Sequence, residues 1–212
     1  MATGDALPEV PATAGRTDGR QLRAERTRRL VVDAFLDLVH EGELGPTAQR
    51  VSDRSGVSMR SIFRLFDDVD ALHAAAIAAH VERVAPLFAA PDDHGSLSAR
   101  VAALVAQRTR LYETVAPVRR TAIRLATRSR PIAAELARAD AILRGHVAEL
   151  FGPELAALRP SRRSETIEAL DALTSWEAWE RLRTAQRLGA GAAGRVVATT
   201  VLGVLDRPPA PP

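Results

Sequence analysis

The sequence predicts an all-α protein, and three observations carry that prediction. Apolar residues recur with helical period in almost every segment between the two ends of the 212-residue chain. Strand signals are missing: aromatic residues make up only 4% of the chain, alternating runs of Val, Ile and Thr are absent, and no Asn-Gly turn occurs. Proline and glycine punctuate the pattern at helix-length intervals, among them Gly42, Gly56, Pro117, Pro131, Gly152, Pro160 and Gly189.

The elements follow in order. Residues 1–19 carry scattered Pro, Gly and acidic residues and read as a disordered arm without the basic start and apolar block of a signal peptide. Helix 1 is predicted from about Gln21 to Glu41, with Val31, Ala34, Phe35 and Leu38 on one face and Gly42 as its stop. Thr47 caps a short second helix that reaches about Arg54. Gly56 breaks it, and Ser58 caps a third, which holds Ile62 and Phe63 inward. A fourth helix, about Val69 to Phe88, is apolar on two faces, as a helix joining two bodies must be, and Pro86 kinks or ends it. The loop Pro91–Ser96 precedes helices over Leu97–Val115, Val118–Arg128, Ile132–Phe151, Arg162–Leu188 and Ala190–Leu205. Asp206 and the proline-rich residues after it, 206–212, read as a loose tail.

Composition excludes several function classes. There is no cysteine, so disulfides, thiol nucleophiles and cysteine metal sites are ruled out, and the chain suits the cytoplasm. All 29 basic residues are arginine, whose charge never titrates in range; with a net charge of only +3 the high pI is no nucleic-acid signal by itself. No run of 18 apolar residues exists, so no membrane-crossing helix is expected. His73, His80 and His146 stand apart from one another, and no metal or other cofactor is expected. No glycine-rich phosphate loop, zinc helix or nucleophile elbow occurs, so the chain is not expected to be an enzyme.

The function-bearing constellation is "SDRSGVSMRSIFRLF", Ser52 to Phe66. Two short helices joined at a glycine, after one long helix, fit a helix-turn-helix. Gly56 supplies the positive φ of the turn, and small Ser52 lets the two helices approach. Arg60, Ser61 and Arg64 then point outward, and a helix of this kind can enter a major groove, where arginine bonds guanine with both ends of its fork. The segment Arg20–Arg29 holds five arginines, Arg26 and Arg28 among them, against one glutamate, which suits phosphate contact.

The stretch "RLVVDAFLDLVHEGELGPTAQRVSDRSGVSMRSIFRLFDDVDAL" resembles the DNA-binding domain of the tetracycline-repressor (TetR) family of bacterial regulators. The likeness includes the alanine and phenylalanine of helix 1, the Thr opening helix 2, "GVS", Phe63, Phe66 and Leu72. It implies Thr47, Ser58, Met59, Arg60, Ser61 and Arg64 as DNA-facing. Phe63 stands where the family commonly has a phosphate-binding tyrosine, and Val69 where it has a lysine; both are read as packing residues.

The resemblance also implies an N-terminal helix-turn-helix domain over 20–68 and a C-terminal helical domain over 69–205 that binds a small, largely apolar effector and dimerises. Phe88, Leu104, Tyr112, Ile123, Leu143 and Trp176 are the candidate lining of its pocket. "SWEAWERLRTAQRLGAGAAGRVVATTVLGVL" is similar in layout to the last two helices, which pair with their mates in a dimer. Trp179, Leu182, Val197, Thr200, Val201 and Val204 are the candidate interface. The expected partners are thus a double-stranded DNA operator, an effector and a second copy of the chain. The alternative is a helical ligand- or protein-binding module whose helix-turn-helix has lost its DNA role.

Overall fold

A computed structural model describes residues 14–92 and 94–206, for residues 14–18 the backbone alone. Ten α-helices and no strand occur among the described residues. The chain divides between Ala76 and Ile77 into two compact units.

The first unit contains α1 (Ala14–His40), α2 (Ala48–Ser55), α3 (Met59–Leu65) and the start of α4 (Val69–Val84). Its core is the predicted face of α1, Val31, Ala34, Phe35 and Leu38, joined by Val51 of α2, Ile62 of α3, Phe66 and Leu72, all buried. His73 is structural: it is buried, its Nε2 lies 3.0 Å from the Pro46 carbonyl, and its ring sits 5.1 Å from that of Phe35. Ion pairs fasten α2 to the end of α1, with Arg54 on Glu41 at 2.5 Å and Arg50 on Glu43 at 3.3 Å.

α1 starts earlier than expected. The arm over residues 1–19 falls mostly outside the described residues, but 14–19 are already helical. No proline follows Pro11 until Pro46, and Ala, Arg, Gln and Leu favour helix throughout that interval.

In the second unit α4 gives way to a 3-10 turn, Ala85–Phe88, at Pro86. Then come α5 (Leu97–Ala126), α6 (Arg130–Leu150), α7 (Gly152–Ala156), α8 (Pro160–Leu173), α9 (Trp176–Glu180) and α10 (Ala190–Leu205). The core is built from Leu104, Leu111 and Tyr112 of α5, Leu143 and Val147 of α6, Leu170 of α8, both tryptophans, and Ala193, Val197 and Val201 of α10. Gly194 lets α10 lie close to α5: a Cβ there would stand 3.1 Å from Val105 Cγ1.

Two predicted boundaries are wrong. α5 runs through Pro117, because residues buried on both sides of it, Tyr112, Val115, Val118 and Ala122, hold the helix together despite one missing backbone bond. The long helix predicted over 162–188 is instead α8, α9 and a π-helical turn over Arg181–Ala185. Its break lies at Thr174–Ser175. The Thr174 hydroxyl donates to the Leu170 carbonyl at 2.8 Å, and the Ser175 hydroxyl accepts from the Ala178 N–H at 3.2 Å, opening a new helix.

Candidate nucleic-acid interface

The turn between α2 and α3 is set by side chains that each satisfy a backbone group. Thr47 Oγ1 accepts the Arg50 N–H at 3.3 Å and starts α2. Gly56 ends it in the left-handed region, φ +70°, with its N–H on the Ser52 carbonyl at 3.0 Å. Ser52 Oγ donates to the Val57 carbonyl at 2.8 Å, fixing the turn from its other side. Ser58 Oγ accepts the Ser61 N–H at 3.3 Å, which starts α3 only two residues after Gly56.

That geometry decides which side of α3 faces outward. Ile62 and Phe66, four residues apart, point into the core, so Arg60, Phe63 and Arg64 lie on the opposite side. Ser58, Arg60 and Arg64 are exposed, and Met59 and Ser61 are half-buried at the edge of the core. The inward placement expected for Phe63 is corrected here: its ring is 46% exposed, since it lies about 100° around the helix from Ile62. Val69 is half-buried at the start of α4.

The arginines of α1 divide into two kinds. Arg26 is exposed on the helix surface. Arg28 turns back: its Nη1 donates to the Leu65 carbonyl at 2.9 Å, and its guanidinium lies 4.4 Å from the Phe66 ring centroid. It therefore satisfies a carbonyl at the end of α3 that no helical N–H can reach.

In the second unit the expected effector residues separate. Leu104, Tyr112, Leu143 and Trp176 are buried together in the core. Tyr112 Oη donates to the Thr174 carbonyl at 2.8 Å, and its ring meets that of Trp176 edge-on at 5.7 Å. Burial raises the Tyr112 pKa far above its ordinary value, so its hydroxyl stays protonated. Phe88 instead lines a shallow, largely apolar cleft between α4, α5 and α6, with Val81, Val115 and Leu136. Ile123 lines neither site. It is 40% exposed, because the unbroken α5 turns Val118, Ala122 and Leu125 inward and carries Ile123 to the outer face.

The expected dimer residues separate as well. Trp179, Leu182, Val197 and Val201 are buried by their own chain, through contacts of α9 and α10 with α5 and α8. Trp179 Nε1 donates to Glu113 at 3.0 Å, and Arg183 engages the same carboxylate at 2.8 Å. Thr200 and Val204 remain partly open, beside the 42% exposed Val196. Sequence periodicity marks α10 as apolar nearly all round; its own chain buries one face of it, Ala193, Val197 and Val201, and leaves Leu202, Val204 and Leu205 half-buried and Val196 exposed.

Three solved structures are similar to this chain. A TetR-family transcriptional regulator from Streptomyces coelicolor aligns with a TM-score of 0.64 and 16% identity, over 84% of this chain and 81% of that one. A transcriptional regulator from Pseudomonas aeruginosa PAO1 aligns with a TM-score of 0.61 and 20% identity, over 85% and 91%. A TetR-family regulator from Mesorhizobium loti MAFF303099 gives 0.55 and 16%, over 86% and 96%. No family model and no curated protein matches the chain. The chain therefore has the all-α fold of the TetR-family transcriptional regulators. No helix among the described residues is long and apolar enough to cross a membrane, and no group of acidic and histidine side chains among them could hold a metal ion.

Proposed function

We propose that this chain is a DNA-binding transcriptional regulator of the TetR kind, a cytoplasmic homodimer that represses from a pseudo-palindromic operator and is released by a small, largely apolar effector. The observation that carries the reading is the outward face of α3, where Arg60 and Arg64 stand exposed on a helix held at its start by Ser58 and at its end by Arg28.

Each residue has a part in that reading. Arg60 and Arg64 reach base edges in the major groove. Ser61 Oγ accepts from the Ser58 hydroxyl at 3.1 Å and keeps its own proton to donate to DNA. Thr47, engaged as an acceptor at the start of α2, likewise keeps a proton for a phosphate oxygen. The exposed Phe63 ring supplies an apolar surface for a thymine methyl group, in place of a phosphate contact. Arg26 contributes charge to the backbone without reading sequence. Arg28 acts through α3 rather than on DNA.

The two copies meet through the outer face of α10, where Val196, Thr200 and Val204 remain available. Two-fold symmetry then sets two reading helices on two half-sites. An effector that binds the second unit more tightly in one spacing of the two heads than in the other shifts DNA affinity by that difference. Repression and release are carried by resemblance to the family.

Selection of duplexes from a random library by the full chain tests the reading. Enrichment of an inverted repeat with half-sites about one helical turn apart is expected. Enrichment of no sequence sinks it and favours the binding module without a DNA role. A mass in solution of one chain at micromolar concentration would remove the dimer.

A further inference from the structure

We propose that Arg60 and Phe63 read one base step together: a guanine preceded, on the same strand, by a pyrimidine with a methyl group at C5. DNA binding then depends on that methyl, whether thymine or 5-methylcytosine carries it. The inference rests on the reading of α3 as the helix that enters the major groove, and it names what that helix recognises there.

Among the chain's phenylalanine, tyrosine and tryptophan side chains, Phe63 alone is exposed, at 46%. The others are buried or, in the case of Phe88, half-buried. Phe63 does not serve the fold, because Ile62 and Phe66 make the contribution of this segment to the core. It carries no polar atom for a phosphate either. On base edges in the major groove the C5 methyl is the apolar feature, set among hydrogen-bond donors and acceptors. An apolar ring held on the outward face of α3 matches that group.

The helix fixes its neighbour. Arg60 and Phe63 are three residues apart, so they stand side by side, with about 5–6 Å between Cβ atoms. Arg64 follows Phe63 directly and lies about 100° around the helix from it, so it does not share the contact. Both arginines are exposed, and neither engages a carboxylate or a carbonyl among the described residues. Arg50 and Arg54 of α2, in contrast, are held by Glu43 and Glu41.

A guanidinium on guanine O6 and N7 lies close to the plane of that base, and the base on its 5′ side stacks about 3.4 Å away. The C5 methyl of a pyrimidine at that place projects into the groove beside the guanidinium, within reach of the adjacent ring. Thymine–guanine and 5-methylcytosine–guanine steps present the same methyl beside the same guanine. Uracil or unmethylated cytosine leaves the Phe63 ring without it.

The test starts from the duplex that the full chain selects from a random library. Each thymine that precedes a guanine is replaced by deoxyuridine, which removes the methyl and nothing else. Binding should weaken about fourfold for one half-site and about tenfold or more for both, the effect of one buried methyl at each. A duplex with cytosine–guanine at the same step should bind at least threefold more tightly when that cytosine is methylated at C5. Phe63→Ala, a change at an exposed position, should melt like the wild type and bind the thymine and deoxyuridine duplexes equally, while still preferring guanine at the step. Arg60→Ala should lose the guanine preference.

Deoxyuridine that binds like thymine at every position, or selected half-sites without a thymine–guanine step, overturns the inference and leaves sequence-specific binding by α3 standing. Both outcomes are read on the wild type, so they hold whatever the variants do. A folded Phe63→Ala that keeps the thymine preference overturns the assignment to Phe63. A response to the methyl of thymine but not to that of cytosine supports the Phe63 contact and contradicts its extension to methylated DNA. Selection of no sequence removes the inference together with the reading on which it rests.

Discussion

Arg28 of α1 donates to the Leu65 carbonyl at 2.9 Å, joining the long first helix to the end of the reading helix across 37 residues of sequence. Its guanidinium also covers the Phe66 ring. Arg28→Ala is expected to destabilise the first unit by about 1 kcal/mol, from one hydrogen bond and one exposed cation–π contact. Arg26→Ala should leave the melting curve unchanged and lower the salt slope of DNA binding by about one. Thermal melts and DNA titrations of both variants check this. Equal behaviour of the two would show that Arg28 is ordinary surface charge.

Gly56 sits at φ +70° with open space around it, since a Cβ there would meet nothing within 4 Å. The whole cost of Gly56→Ala therefore lies in the backbone, and should be about 1–2 kcal/mol in urea denaturation. Gly56→Asn should recover part of it, because asparagine tolerates the left-handed region. A neutral Gly56→Ala would mean that the turn relaxes to another conformation.

The contrast between Gly194 and Gly145 separates close approach from helix propensity. Gly194→Leu drives a side chain into Val105 and should cost about 1–3 kcal/mol. Gly145→Ala, in α6 with nothing within 4 Å of the new Cβ, should stabilise by about 0.5–1 kcal/mol. Chemical denaturation of the two variants should move in opposite directions.

Acid should destabilise the second unit through Arg100 and Glu154. The Arg100 hydrogen bonds hold the Glu154 carboxyl below its ordinary value of 4.5. As pH falls, the unfolded chain takes up that proton before the folded one does. The stabilisation is thus present above about pH 4.5 and is lost as pH drops through the lowered folded value. Glu113, lowered first by its hydrogen bond from Arg183, acts in the same direction, whereas Asp171, raised by burial, opposes it. Glu154→Gln should flatten the fall in thermal midpoint below pH 4.5; an unchanged profile would show the pair to be idle.

The first unit was largely legible in the sequence because its geometry is dictated locally. Thr47, Gly56 and Ser58 each act within four residues, and each was readable where it stands. Phe63 was misplaced because α3 has only seven residues, too few for periodicity to fix its inward face. The second unit depends on packing between distant segments. Pro117 reads as a break until α5 is seen buried around it. Thr174 and Ser175 did carry a signal, a capping serine before Trp176, which the apolar period on both sides obscured. Nothing in "AQRTRLY" distinguishes buried Arg108 from exposed Arg110 before the fold is known. Nor can periodicity tell whether Trp179 and Val201 are covered by their own chain or by a second copy.

The central claim is that the outward face of α3 reads DNA. The direct measurement is binding of the full chain, across a salt series, to a selected duplex and to a scrambled one, for the wild type and for Arg60→Ala with Arg64→Ala. The wild type should prefer the selected duplex with a steep salt dependence. The double variant, melting like the wild type, should lose that preference, each arginine accounting for about 1–3 kcal/mol of discrimination. A folded double variant that still distinguishes the two duplexes as the wild type does would contradict the account.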